Sequence, residues 1–377
     1  MLPSRRRARR VGSRLPAAVA AALLAGAADA RAEDVGRYRV RGTLMGSALY
    51  DDNVYFDTDP DSGTALRLHP GVDGLFRASP TLSVEGAYGF DADVYPDQPE
   101  LNSLFASQLA TASARYRVDA RTSLSLGAVY SQSNTSGDLV AGAGLDFGRV
   151  RGTSWGMSAG ATRQVSRAGT LGLDYARQTV AYEDTPDSLV QSLTLNWSQR
   201  VAARTGLSLS GGARFVDGAT SAEGSAMLHR DIERGTLVLA YARSRYPAPG
   251  QAVDVESVTA TGVFTLSRAW QVSASPGYYR NRLEDEQQTH SWRLALSASC
   301  QVRPGLSARA TYQYVRQNAL IAGTLGLQQG PWISRNVFAV SFTASTSRPR
   351  EQRVQPGVGP LRPASPAVPA PLGRSDR

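Results

Sequence analysis

The chain has 377 residues and a formal net charge of +9, with 36 Gly, 20 Pro, 15 Tyr and one Cys. Six Arg against Asp29 fall within residues 1–30, and six Arg against Glu351 and Asp376 follow Phe342, so the body between is close to neutral. That distribution excludes nucleic acid as a partner, because the basicity sits in a leader and a tail. Cys300 stands alone, which excludes an intrachain disulfide and a Cys-based metal site.

Residues 1–30 read as a signal peptide. Arg5, Arg6, Arg7, Arg9, Arg10 and Arg14 form a basic n-region, Leu15 to Ala28 form an Ala-rich apolar region, and Ala28-Asp29-Ala30 or Ala30-Arg31-Ala32 offers small residues for cleavage. The apolar stretch contains Pro16 and is too short to cross a bilayer, which takes about 20 residues. No Cys stands at the cleavage site, so a lipoprotein is not expected.

From there, alternation with period two runs almost without interruption. Tyr38, Val40, Leu44 and Tyr50 oppose Arg37, Arg39, Arg41 and Ser47. Leu66, Leu68, Val72 and Phe76 oppose Arg67, His69, Asp73 and Arg77, and Leu82, Val84, Tyr88 and Phe90 oppose Ser83, Glu85, Asp91 and Asp93. The pattern recurs at Leu124–Tyr130, Leu189–Trp197, Leu207–Phe215, Trp292–Ala298 and Phe338–Phe342. Short polar turns separate the strands near 77–80, 119–121, 166–169, 202–204, 233–235, 267–269 and 303–305. Longer connections are expected at 57–63, 96–102, 133–151, 183–187, 217–220, 247–254, 283–288 and 317–334.

Alternating strands with short turns on one side and long loops on the other predict an all-β, transmembrane, antiparallel up-and-down β-barrel of about sixteen strands, fourteen to eighteen if a weak segment such as 103–118 or 152–165 is misread. An even count places both termini in the periplasm. The expected division is a signal peptide at 1–30, a barrel at 36–344 and a Pro-rich disordered periplasmic tail at 345–377. Tyr50, Tyr55, Tyr88, Tyr95, Tyr130, Tyr182, Trp197, Tyr246, Trp270, Trp292 and Tyr314 are expected in interfacial girdles. The implied place is the outer membrane of a Gram-negative cell. Its lipids and lipopolysaccharide, and the barrel-assembly machinery, are the expected partners.

With the aromatic and aliphatic set facing lipid, the lumen would hold Arg67, Asp73, Arg77, Glu85, Asp91, Asp93, Arg115, Asp174, Arg214, Glu223, Asp231, Arg293 and Arg309. A barrel this wide holds water, so such charges are tolerated as pore lining, or pair across strands to brace the wall. The third long loop, 133–151, carries Asp138, Asp146, Arg149 and Arg151 and is the candidate constriction. The last loop, 317–334, is apolar (Leu320, Ile321, Leu325, Leu327, Trp332) and would pack in the mouth or against a neighbour.

The segment Tyr50-Asp51-Asp52-Asn53-Val54-Tyr55 closing the first strand resembles the opening of the beta-barrel porin 2 family of outer-membrane proteins. The similarity continues through Leu66–Tyr95. That resemblance implies an outer-membrane porin associated with exopolysaccharide or exosortase clusters, and polysaccharide-export components as partners. Read physically, Tyr50 and Tyr55 would sit at the outer interface, with Asp51, Asp52 and Asn53 forming either a solvated turn or a cation site. The chain departs from the usual arrangement in which an aromatic residue ends the chain, since Phe342 is followed by the tail.

Catalysis finds little support. The three His are His69, His229 and His290. A hydrolase barrel needs a Ser and a His on one face, and neighbours such as His290 and Ser291 face opposite ways. Asp91 and Asp93 would be the carboxylate pair for an aspartyl-type mechanism. The resulting expectation is a passive, porin-like pore with no cofactor, for small polar solutes or polysaccharide export. A non-conducting scaffold barrel is the alternative and a lipid-modifying barrel enzyme the third.

Overall fold

The computed structural model describes residues 34–35, 38–135, 142, 144–146, 148–183, 185–283, 288–323 and 326–346. The expected signal peptide, the tail beyond Thr346, and Asp138 lie outside them. So do Leu325 and the side chains of Leu320, Ile321 and Leu327.

Among the described residues, seventeen strands form one sheet. They are β1 (Asp34–Val35), β2 (Tyr38–Asp51), β3 (Gly63–Arg77), β4 (Leu82–Val94), β5 (Ser103–Arg117), β6 (Thr122–Ser133), β7 (Gly152–Gln164), β8 (Gly169–Tyr182) and β9 (Ser188–Ala202). Then follow β10 (Thr205–Val216), β11 (Ala219–Ile232), β12 (Gly235–Ala248), β13 (Gln251–Thr265), β14 (Trp270–Leu283), β15 (Gln288–Arg303), β16 (Leu306–Gly323) and β17 (Gly326–Ser345). From β2 onward each strand pairs antiparallel with the next. β17 returns to β2, from Val337 opposite Asp51 to Ser345 opposite Thr43, and closes a barrel of sixteen strands. The weak segments 103–118 and 152–165 are β5 and β7. No helix among the described residues is long and apolar enough to cross a membrane.

Closure leaves no long edge of unpaired amides, the condition for a sheet to span lipid. Where β17 ends, Thr346 caps the seam: it accepts from the Gly42 N–H at 3.0 Å and donates to the Gly42 carbonyl at 3.1 Å. The remaining edge of β2 is taken by β1, with Asp34 opposite Arg39 and Val35 opposite Tyr38.

The pleat sends alternate side chains out and in. Outward-facing Met157 (55%), Leu195 (53%), Leu239 (52%) and Phe342 (52%) are half exposed, as are many others around the ring. A soluble protein does not carry apolar surface on this scale. Lipid covers it, and the chain is an outer-membrane β-barrel. Tyr50, Tyr88, Tyr130, Trp270 and Trp292 are exposed on this face. Tyr95, Tyr182 and Tyr246 are not: Tyr182 and Tyr246 lie on the inward parity of β8 and β12, Tyr95 follows β4 directly, and all three pack in the mouth of the barrel, which corrects their assignment to a girdle.

The turns 78–81, 118–121, 165–168, 203–204, 233–234, 266–269 and 304–305 lie at the end that also holds Tyr38 and Ser345. By the loop-length rule this is the periplasmic end. The opposite end has long connections at 52–62, 95–102 and 134–151. Three others expected to be long are tight. Asp217 (φ 51°) and Gly218 (φ 85°) make a two-residue hairpin turn, and Pro249-Gly250, with Gly250 at φ 76°, makes another. Residues 317–334 continue β16 and β17, with one register shift between Asn318 and Leu320, as far as Gly323 opposite Gly326.

Candidate functional site

The inner wall is lined by charges that mostly find partners. Arg67 reaches both Asp93 oxygens at 2.7 and 2.8 Å and lies 3.6 Å from Asp91, and Asp73 pairs with Arg41 at 2.7 Å. Glu223 accepts from Thr194 (2.7 Å), Ser244 (3.2 Å) and Arg214 (3.4 Å), and the Arg214 guanidinium stacks 5.0 Å from the Tyr246 ring. Asp174 accepts from Asn196 at 2.6 Å. These contacts brace neighbouring strands. Glu85, Arg115 and Arg309 share the inward parity, and their side chains have no ion-pair or hydrogen-bond partner among the described residues. Between the charges, hydroxyl pairs such as Ser210–Ser225 (2.6 Å) and Ser273–Ser297 (2.8 Å) keep the wall polar.

The third long connection enters the barrel. The Gly144 carbonyl accepts from the Ser291 hydroxyl at 2.6 Å and from Arg293 Nε at 3.2 Å. Gly144 sits at φ +64°, and a Cβ there would run into the Tyr279 ring, so glycine is required for both conformation and space. The Asp146 backbone is gripped by the Gln317 amide, its N–H donating at 2.9 Å and its carbonyl accepting at 2.6 Å. The Asp146 carboxylate meets Arg335 Nη1 at 3.2 Å. On the far side, Arg149 donates to the Tyr95 hydroxyl at 2.7 Å and lies 4.9 Å from that ring's centroid. One short segment thus touches the connection after β4 and strands β14 to β17. Arg151, at its end, is exposed; its backbone carbonyl accepts from the Glu183 N–H at 2.9 Å.

Leu145 anchors the segment. Fully buried, it packs with Val180 and Tyr182 of β8, Ala248 of β12, Val253 and Val255 of β13, and Leu283 of β14. Burying one such side chain is worth about 2 kcal/mol. These strands are not all neighbours in the ring, so the wall folds inward at this end. Tyr182 donates directly to the Pro247 carbonyl at 3.2 Å, and Val190, Val216 and Ala252 form a second buried apolar cluster. Outside, the polarity also inverts. Above Tyr241, Val258 and Tyr278 the outward positions become Arg243, Glu256 and Arg280, while Val253, Val255 and Leu283 point in. Here the strands have left the hydrocarbon and pack as a water-soluble sheet does. Sequence reading missed this clasp, although its signal was present as valines on the inward parity of β8, β9, β10 and β13.

The motif Tyr50–Tyr55 is not a solvated turn. Asp51 is buried (7% exposed), with its carboxylate held by Arg335 Nε at 3.0 Å and Nη2 at 2.6 Å. Asp52 accepts from both the N–H and the side-chain amide of Asn336 at 2.6 Å. Asn53, 1% exposed, donates to the carbonyls of Asp57 (2.7 Å) and Ser334 (3.2 Å), and Val54 packs with Ala65 and Tyr95. The acids are consumed in joining the first strand to the last. Tyr50 is exposed on the outward face, and Tyr55 donates to Glu100 at 3.2 Å from the first loop. No group of three or more His, Cys, Asp or Glu arranged for a metal occurs among the described residues.

His69, Asp91 and Ser107 meet in the wall, but the carboxylate is in the middle. His69 Nδ1 lies 2.7 Å from one oxygen of Asp91, and Ser107 donates to the other at 2.5 Å. The hydroxyl therefore faces an acceptor already shared with Arg67, rather than an imidazole base. Arg67 also ties down Asp93, so the two acids do not form an open pair.

No family model matches the chain, and no curated protein matches it. Solved structures similar to it are outer-membrane proteins. OccAB4 of Acinetobacter baumannii is 9% identical over 82% of this chain and 98% of its own, with a TM-score of 0.48. The outer membrane protein opdK of Pseudomonas aeruginosa is 12% identical over 81% and 99%, with a TM-score of 0.47. An anion-selective porin of Comamonas acidovorans is 11% identical over 82% and 99%, with a TM-score of 0.43. The similarity is that of the barrel alone.

Proposed function

We propose that the barrel is a passive pore for small polar solutes, narrowed near its outer mouth by Gly144, Leu145 and Asp146. The observation that carries this reading is the position of Gly144, Leu145 and Asp146, held in the mouth by Ser291, Arg293, Gln317 and Arg335 above a wall of hydroxyls and charges. Solutes would pass by diffusion, their size limited by the segment and their charge weighed by Glu85, Arg115 and Arg309. No step requires a cofactor. The resemblance of Tyr50–Tyr55 to the beta-barrel porin 2 family supports the narrower reading that the pore serves polysaccharide export.

Swelling of liposomes containing the refolded chain, in sugars of increasing length, tests this. Entry of monosaccharides, at rates that fall gradually as the sugar lengthens, is the expected result. Exclusion of every sugar would favour the second reading, a non-conducting scaffold. That reading draws on the apolar clasp, beside which Asn281, Thr289 and Ser291 are fully buried.

A further inference from the structure

All seven periplasmic turns carry or adjoin an exposed arginine: Arg77, Arg121, Arg167, Arg204, Arg234, Arg268 and Arg303. Among the described residues none of these guanidinium groups has an ion-pair or hydrogen-bond partner. Acids at this rim are fewer than arginines: Glu233 stands beside Arg234, Asp231 accepts from the Thr236 hydroxyl at 3.2 Å, Glu85 faces the lumen, and Asp119 is engaged in its own turn, accepting from the N–H groups of Arg121 (2.6 Å) and Thr122 (2.8 Å). The cations continue inward, since Arg115 and Arg309 occupy lumen-facing positions on β5 and β16. The opposite end carries exposed acids instead, among them Asp57, Asp59, Asp61, Asp97, Glu183 and Asp187. The barrel is therefore polarised along its axis.

We propose that this arginine crown is a capture site for a soluble polyanion, an acidic polysaccharide chain in chemical class, which it guides into the pore from the periplasmic side. The inference deepens the pore reading and rests on it for the passage step. A ring of unpaired guanidinium groups around an aperture raises the local concentration of an anionic chain and its association rate, while any one contact stays weak and exchangeable. Arginine suits carboxylate, sulfate and phosphate groups through its planar fork of donors. Headgroups of the inner leaflet are the other anions nearby. Arg77, Arg115 and Arg309, however, lie on the lumen side, where a lipid headgroup does not reach.

The test uses the refolded barrel, the triple variant Arg204→Gln/Arg234→Gln/Arg268→Gln, and fluorescent oligogalacturonate as probe. These side chains are exposed and unpaired, so the variant should fold, which heat-modifiable mobility on a gel verifies. Anisotropy on the detergent-solubilised protein should show binding that weakens about tenfold or more in the variant and falls steeply with salt. A neutral dextran of equal length should not bind either form. In a planar bilayer, brief current blockades should be frequent when the oligomer is added on the periplasmic side and rare from the other. Equal binding by both forms would overturn the proposal. So would loss in the variant of binding to phosphatidylglycerol vesicles alone, with oligogalacturonate unaffected. Binding without any conductance would uphold the capture site and remove the pore.

Discussion

The guanidinium of Arg335 and the carboxylate of Asp146 lie 3.2 Å apart although 189 residues separate them in the chain. The same guanidinium holds Asp51 in a bidentate grip, so one side chain ties the last strand both to the first strand and to the inserted loop. Side-chain exposures are 17% for Arg335, 10% for Asp51 and 9% for Asp146. Removing the arginine leaves two nearly buried acids without their cation, a change that costs about 3 kcal/mol. Arg335→Gln should lower stability by roughly that amount in urea-driven unfolding from lipid vesicles and widen the pore. A variant as stable as the parent, with unchanged conductance, would show that the clasp carries no weight.

The loop's fit depends on Gly144. Gly144→Val would place branched carbons at a positive φ and against the Tyr279 ring, so the segment should be displaced while the barrel stays folded. Leu145→Ala should act in the same direction by emptying the apolar clasp, at about 3 kcal/mol locally. Protease accessibility of the segment reads both. Wild-type resistance in either variant would contradict the packing described.

Orientation of the two faces gives a direct check on the membrane assignment. Leu239→Arg, on the lipid face, should cost about 2 to 4 kcal/mol if it lies near the bilayer midplane. Ser210→Arg, one face away on a neighbouring part of the wall, should be tolerated because it enters the aqueous lumen. Equal penalties for the two in folding titrations would rule out the assignment.

Ion preference should follow the unpartnered lumen charges. Arg309→Glu should shift the reversal potential in a salt gradient toward cation selectivity. The double variant Arg214→Gln/Glu223→Gln should leave it nearly unchanged, because those two already neutralise each other. The reverse ranking would mean that paired charges dominate the field.

Alternation made the barrel legible, because lipid outside and water inside impose the same two-residue period on every strand. Even β5, rich in Ala and Ser, kept it. The mouth was harder. Asp217-Gly218 is a two-residue hairpin signature, yet its polar character suggested a longer loop. β16 and β17 run on past the membrane, where apolar residues no longer signal lipid. Asp51 and Asn53 looked like a loop opening because their partners, Arg335, Ser334 and Asn336, lie at the other end of the chain. Contacts across a barrel seam have no local trace in sequence. For the same reason the loop at 133–151 suggested a constriction without revealing what it touches.

Single-channel conductance of the refolded chain, with and without residues 136–147, tests the pore and its constriction together. Discrete steps that grow on deletion are the expected result. Folded, heat-modifiable protein that passes no current in either form would contradict it and leave a scaffold.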